Sequence, residues 1–170
     1  MSTNNAVNVQ ITPGPISLFW KVLSADQAVA AENPLVLHEI TELTVALEAS
    51  STYWFKYYMN ISTGAVAQGV FYTLNYSGTS ANIAWKTELP LGRNVIDDKP
   101  FYGSVNDEGI KSTGQAALTD TANRYPHYMF GNINTTTAGD LKVNMQSELV
   151  TSGTFTVHKG SMLELIKVVT

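Results

Sequence analysis

Apolar and polar residues alternate with a period of two along most of this chain. Leu43, Val45 and Leu47 interleave with Thr44, Ala46 and Glu48, and after "EASS" the rhythm returns in Tyr53, Phe55, Tyr57 and Met59. Successive strand residues point to opposite faces, so each run predicts a half-buried ribbon. The short connection between the two runs predicts an antiparallel pair. "ISLFWKVL" (16–23) reads as another strand. Residues 24–40 fit either a helix broken by Pro34 or a strand–turn–strand. "GVFYTLNYS" (69–77) and "NIAWKTEL" (82–89) continue the series, with Gly78 at the turn between them. Residues 90–124 hold many turn formers and predict loops with one or two short elements, including a helical turn around 115–121. Strand character resumes in "YPHYMFGNI", "NTTTAGD" turns the chain, and strands follow near 141–147, 154–158 and 162–168.

About eight to ten short strands, with turn signals every 8–12 residues or so, predict an all-β fold, an antiparallel jelly-roll sandwich. The 170 residues suit one domain. It is expected over 16–170, after a flexible or extended arm over 1–15. The arm ends in "TPGP", and its Asn8, Val9, Ile11, Pro13 and Pro15 are candidate contacts with a neighbour. Fully extended, such a segment reaches up to ~50 Å. The final strand, ending two residues before Thr170, is expected to lie centrally with a partner on each side.

Composition narrows the possible functions. Charged residues make up 14% of the chain, against about 25% in an ordinary soluble domain. Net charge is −4, and the ten Lys and Arg residues are scattered without a basic stripe. Nucleic acid is therefore not an expected partner. The absence of cysteine removes disulfides, thiolate metal sites and thiol nucleophiles. The first residues lack the basic and apolar regions of a secretory signal. No apolar run approaches the roughly 18 residues of a membrane-spanning helix, so no membrane partner is expected.

The stretch Tyr53-Trp54-Phe55-Lys56-Tyr57-Tyr58 carries the most information. If Tyr53, Phe55 and Tyr57 face the core, Trp54 and Tyr58 stand outside. Aromatic side chains bring roughly 150–250 Å² each and call for cover. A subunit interface is the expected cover; a loop or second sheet, or a stacked carbohydrate, are the alternatives. His38, His127 and His158 share no metal-ligand spacing, so no metal or cofactor is expected. No nucleophile elbow occurs and no catalytic residue is assigned, although a Ser-His-Asp set is assembled by a fold rather than by spacing. Asp97-Asp98 and Asp107-Glu108 read as solvated turn carboxylates, lacking the alternating oxygens of a calcium loop. Gly160 reads as a turn residue with positive φ.

Two blocks resemble a known family. "GDLKVNMQSELVTSGTFTVHKGSMLELIKV" resembles the closing strands of small virion proteins of tailed bacteriophages, through Gly139, Leu141, Val143, Gln146, Thr154, Thr156, Lys159, Gly160, Ser161 and Leu163. "LTVALEASSTYWFKYYM" is similar to an upstream segment of the same family, with Leu43, Val45, Ala49, Thr52, Tyr53 and Phe55 in register. The chain departs from the family at Asn144-Met145-Gln146, where Trp-Ala-Gln is usual, and over 90–124. The resemblance implies a tumour-necrosis-factor-like jelly roll, usually trimeric, that serves as a capsid decoration (cement) protein, head fibre or tail-associated protein. It further implies the major capsid protein or other virion proteins as partners. The implied location is the phage capsid surface, after assembly in the host cytoplasm. Under the head-fibre or tail alternative, the 90–124 loops with Tyr102, Tyr125 and Tyr128 would grip host glycans.

Overall fold

The computed structural model describes residues 16–31, 36–65, 69–88, 103–105, 124–147 and 153–168. In chain order its strands are β1 (Ile16–Val22), β2 (Gln27–Val29), β3 (His38–Glu39), β4 (Val45–Leu47), β5 (Thr52–Thr63) and β6 (Val70–Tyr76). β7 (Ser80–Glu88), β8 (Gly103–Val105), β9 (Tyr125–Thr135), β10 (Gly139–Ser147), β11 (Phe155–Val157) and β12 (Met162–Val168) follow. The ambiguous stretch before residue 40 thus supplies two short strands, and a 3-10 turn (Thr41–Leu43) that the pattern did not signal comes next. The expected arm at 1–15 and the helical turn at 115–121 lie outside the described residues.

Two antiparallel sheets pack face to face as a jelly-roll sandwich. The larger runs β1-β12-β5-β9-β7-β8, with β11 also on β5 and β2 on β11. In the smaller, β10 pairs with β6, β3 and β4. Pairing is nested: β1 with β12, β4 with β10, β5 with β9. That winding defines a jelly roll. At its innermost turn the roll opens, because β6 lies on β10 while β7 lies on β9. β12 is held on both sides, by β1 and β5, as the closing pattern predicts.

One expected pairing is corrected. The runs at 43–47 and 53–59 do not form a hairpin: β4 pairs with β10, and β5 with β12, β9 and β11. Period-two patterning states which face of a ribbon is apolar, not which ribbon lies beside it. Crossing between sheets places both apolar faces against one core from opposite sides. The corner is pinned by polar bonds. Ser51 N–H donates to Thr135 Oγ1 at 3.0 Å, that hydroxyl donates to the Glu48 carbonyl at 2.6 Å, and Glu48 N–H donates to the Tyr53 hydroxyl at 2.9 Å.

Between the sheets lie Tyr57, Tyr72, Phe155, Met129, Leu74 and Ile133, all fully buried. The core also holds His127, hydrogen-bonded through Nδ1 to the Tyr72 hydroxyl. Burial lowers the imidazole pKa to about 3, so the ring is neutral in the fold. The Tyr57 and Tyr72 hydroxyls are pushed up by the same desolvation.

Candidate functional site: the outer face of the larger sheet

Alternation along β5 places Tyr53, Phe55, Tyr57 and Met59 in the core and turns Trp54, Lys56 and Tyr58 outward. Register carries this outward row across the sheet. Trp54 pairs with Ile166 and Asn132, Lys56 with Glu164 and Phe130, and Tyr58 with Met162 and Tyr128. Beyond β12, Ile166 pairs with Leu18 and Glu164 with Trp20. Ile16, Leu18, Trp20 and Val22 of β1 therefore share the face of Trp54. Ile16 is 55% exposed and Trp54 54%. An outward sheet face is ordinarily polar; this one is mostly aliphatic and aromatic.

The charges on this face are seated on rings. Lys56 Nζ lies 4.6 Å from the centroid of Tyr58, which meets Tyr128 edge-on at 5.5 Å. Lys86 Nζ lies 4.3 Å over Phe130 and 3.4 Å from Glu88. The Tyr58 hydroxyl donates to Glu164 at 3.3 Å. The Lys56 ammonium is held above the ordinary lysine range, chiefly by its hydrogen bond to Tyr58, with Glu164 and Glu88 adding. Cations over ring faces keep their charge while their stems cover apolar surface.

Two hollows interrupt the face on either side of Phe130 and Gly131. One, about 200 Å³, is lined by Trp54, Phe55, Lys56, Phe130, Gly131, Glu164 and Ile166. The other, about 250 Å³, is lined by Ala84, Trp85, Lys86, Phe130 and Gly131. Both fall below the roughly 300–1,000 Å³ of small-molecule sites. Each has room for about one large side chain, the size of an interface anchor.

Of the residues singled out from the sequence, Trp54, Tyr58 and Tyr128 come together here. Tyr125 does not: it is 6% exposed, with its ring turned into the core opposite Ile61. It faces inward because it sits an odd number of residues from outward-facing Tyr128. Asn8, Val9, Ile11, Pro13, Pro15 and Tyr102 lie outside the described residues. Sequence reasoning missed Trp20, Phe130 and Ile166. The pattern of "ISLFWKV" points the other way: Ile16, Leu18, Trp20 and Val22 form its wholly apolar face, which alternation alone would turn inward, yet Phe19, flanked by Ser17 and Lys21, is the residue that packs against the core.

No family model matches the chain, and no curated protein matches it. Among solved structures, VP2 of the infectious bursal disease virus subviral particle aligns over 89% of this chain and 40% of its own, with 8% identity and a TM-score of 0.30. The structure of the Gx strain of infectious bursal disease virus aligns over 91% and 42%, with 8% identity and a TM-score of 0.23. This chain spans about two fifths of either.

Proposed function

We propose that this chain is a virion structural protein that binds and stabilises a phage capsid as a trimeric decoration (cement) protein. The observation that carries this reading is the apolar outer face running from Ile16 on β1 through Ile166 and Trp54 to Phe130 on β9. Water is a poor cover for such a face, and each large side chain fully buried in a contact contributes ~1.5–3 kcal/mol. The resemblance of the 43–59 and 139–168 blocks to phage virion proteins supports the setting. The capsid contact is adhesive: ring-lined hollows receive anchor side chains, and three arms on one trimer act at high effective concentration. The partner is a major capsid protein or another virion protein, with neither nucleic acid nor membrane involved.

Solution mass and particle occupancy test this together. A trimer that coats capsids in many copies and loses affinity on deletion of residues 1–15 supports the reading in full. A monomer without affinity for capsids overturns it. Saccharide binding on a glycan array without capsid affinity would move the chain to the head-fibre alternative.

A further inference from the structure

Where β2, β11 and β5 run side by side, far from Trp54, three polar groups line up across the sheet. The Ser62 hydroxyl lies 2.8 Å from His158 Nε2, and His158 Nδ1 lies 3.1 Å from Asp26 Oδ2. The other Asp26 oxygen accepts the Lys159 backbone N–H at 2.7 Å, which fixes the carboxylate. Its pKa is lowered first by that backbone bond, then by the hydrogen bond to His158, with Arg124 adding its charge. An ionised carboxylate at Nδ1 selects the tautomer whose proton sits there and leaves Nε2 to accept from the serine. The ring is held by its surroundings, at only 8% exposure. The β5–β9 ladder ends at Ile61 with Tyr125, and exposed Arg124, the next residue along that chain segment, is near enough for its charge to act on Asp26. On its other side Ser62 pairs with Thr156, and Thr156 with Ala28, both small.

We propose that Ser62, His158 and Asp26 form a nucleophilic site for small carboxylic esters, with Arg124 placed to receive the charge that develops on the carbonyl oxygen. Ser62 Oγ forms a bond to the carbonyl carbon as His158 Nε2 takes the hydroxyl proton. The carbon–alkoxy bond then breaks, and the same proton passes to the departing alkoxide as it leaves as an alcohol. Water repeats the sequence, giving its proton to His158 and its hydroxyl to the acyl carbon, and releases the acid with Ser62 restored. Asp26 acts as a positioning residue, through His158. Sequence spacing carries no trace of the set, because the residue before β2, the end of β5 and the turn after β11 meet only in the fold.

Incubating the full chain with a fluorophosphonate probe at pH 8 tests the proposal. One equivalent is expected on Ser62, with fluoride displaced and the proton taken by His158. Labelling is expected to vanish in Ser62→Ala, to slow at least about 100-fold in His158→Gln, and to slow at least about tenfold in Asp26→Asn. In Asp26→Asn, turnover of 4-nitrophenyl acetate is expected to fall through kcat more than through KM, which a merely structural contact would not produce. Turnover of 4-nitrophenyl acetate is expected to fall in Arg124→Met through kcat more than through KM. Ser62→Ala leaves the His158–Asp26 contact intact, so it separates the chemistry from any role of that contact in holding β11 in place. A folded wild type that takes up no probe, or labelling undiminished in Ser62→Ala, overturns the proposal. The adhesive reading of the outer face is independent of either result.

Discussion

Gly160 and Gly131 are needed for different reasons, and substitution distinguishes them. Gly160 has φ +88 in the turn between β11 and β12, and a Cβ there would meet nothing within 4 Å. Gly160→Ala thus carries only the left-handed backbone penalty, about 1 kcal/mol. At Gly131 a Cβ would come within 2.2 Å of the Ala84 carbonyl oxygen and 2.8 Å of the Phe55 ring. Gly131→Ala should destabilise by about 3 kcal/mol or more, since the obstruction is partly backbone; urea unfolding of the two variants checks the order. The glycine in the turn was readable from "HKGS", whereas the one in mid-strand depends on a ring and a carbonyl from distant segments. His127 gives a pH signature. Its pKa is about 3 in the fold and about 6.5 unfolded. Above the unfolded value the ring is neutral in both states. As pH falls below it, the unfolded chain takes up a proton that the folded one refuses. Stability should therefore drop on acidification from about pH 6.5, at up to about 1.4 kcal/mol per pH unit. Denaturant titrations between pH 5 and 6.5 should show the slope, and His127→Gln should flatten it. The carboxyls of Asp26 and Glu39, also held low, lose their contribution only nearer pH 4.

Among the elements, β5 and β1 show what alternation conveys. β5 reads from its sequence as core on one side and aromatic on the other, and the structure places Tyr57 at 0% exposure and Trp54 at 54%. β1 turns its wholly apolar face, Ile16, Leu18, Trp20 and Val22, outward, while Phe19, between Ser17 and Lys21, packs against the core. Trp54→Ala removes a ring that is more than half exposed in the single chain, so stability should change by no more than about 0.5 kcal/mol. If that ring anchors an interface, the same variant should weaken association about 30-fold or more. Thermal melts beside sedimentation at several concentrations separate these effects, and an unchanged association constant would take Trp54 out of the interface. Tyr125 reads as a surface aromatic when judged by its loop-rich neighbourhood. Parity along β9 overrides that context, because a strand offers each side chain only two directions.

At the scale of the whole molecule, nested pairing explains how strands far apart in sequence share one face. β1 and β12 come together because the roll closes its first long strand on its last, and that closure joins Leu18 to Ile166 and Trp54 in one apolar surface. A trimer that buries this surface should melt at a temperature that rises with protein concentration, since association stabilises by mass action. A concentration-independent melt would indicate a self-sufficient monomer.

The sequence alone determined the all-β class, most of the long strands and the two faces of β5, because side-chain direction in a ribbon repeats locally every two residues. It also marked Trp54 and Tyr58 as outward. Only the tertiary structure decided which ribbons are neighbours: that β4 and β5 part to opposite sheets, that Asn132 and Ile166 flank Trp54, and that Asp26, Ser62 and His158 meet. Those outcomes depend on how two sheets share one core and on register between segments as distant as Ile16 and Val168, which no local pattern encodes.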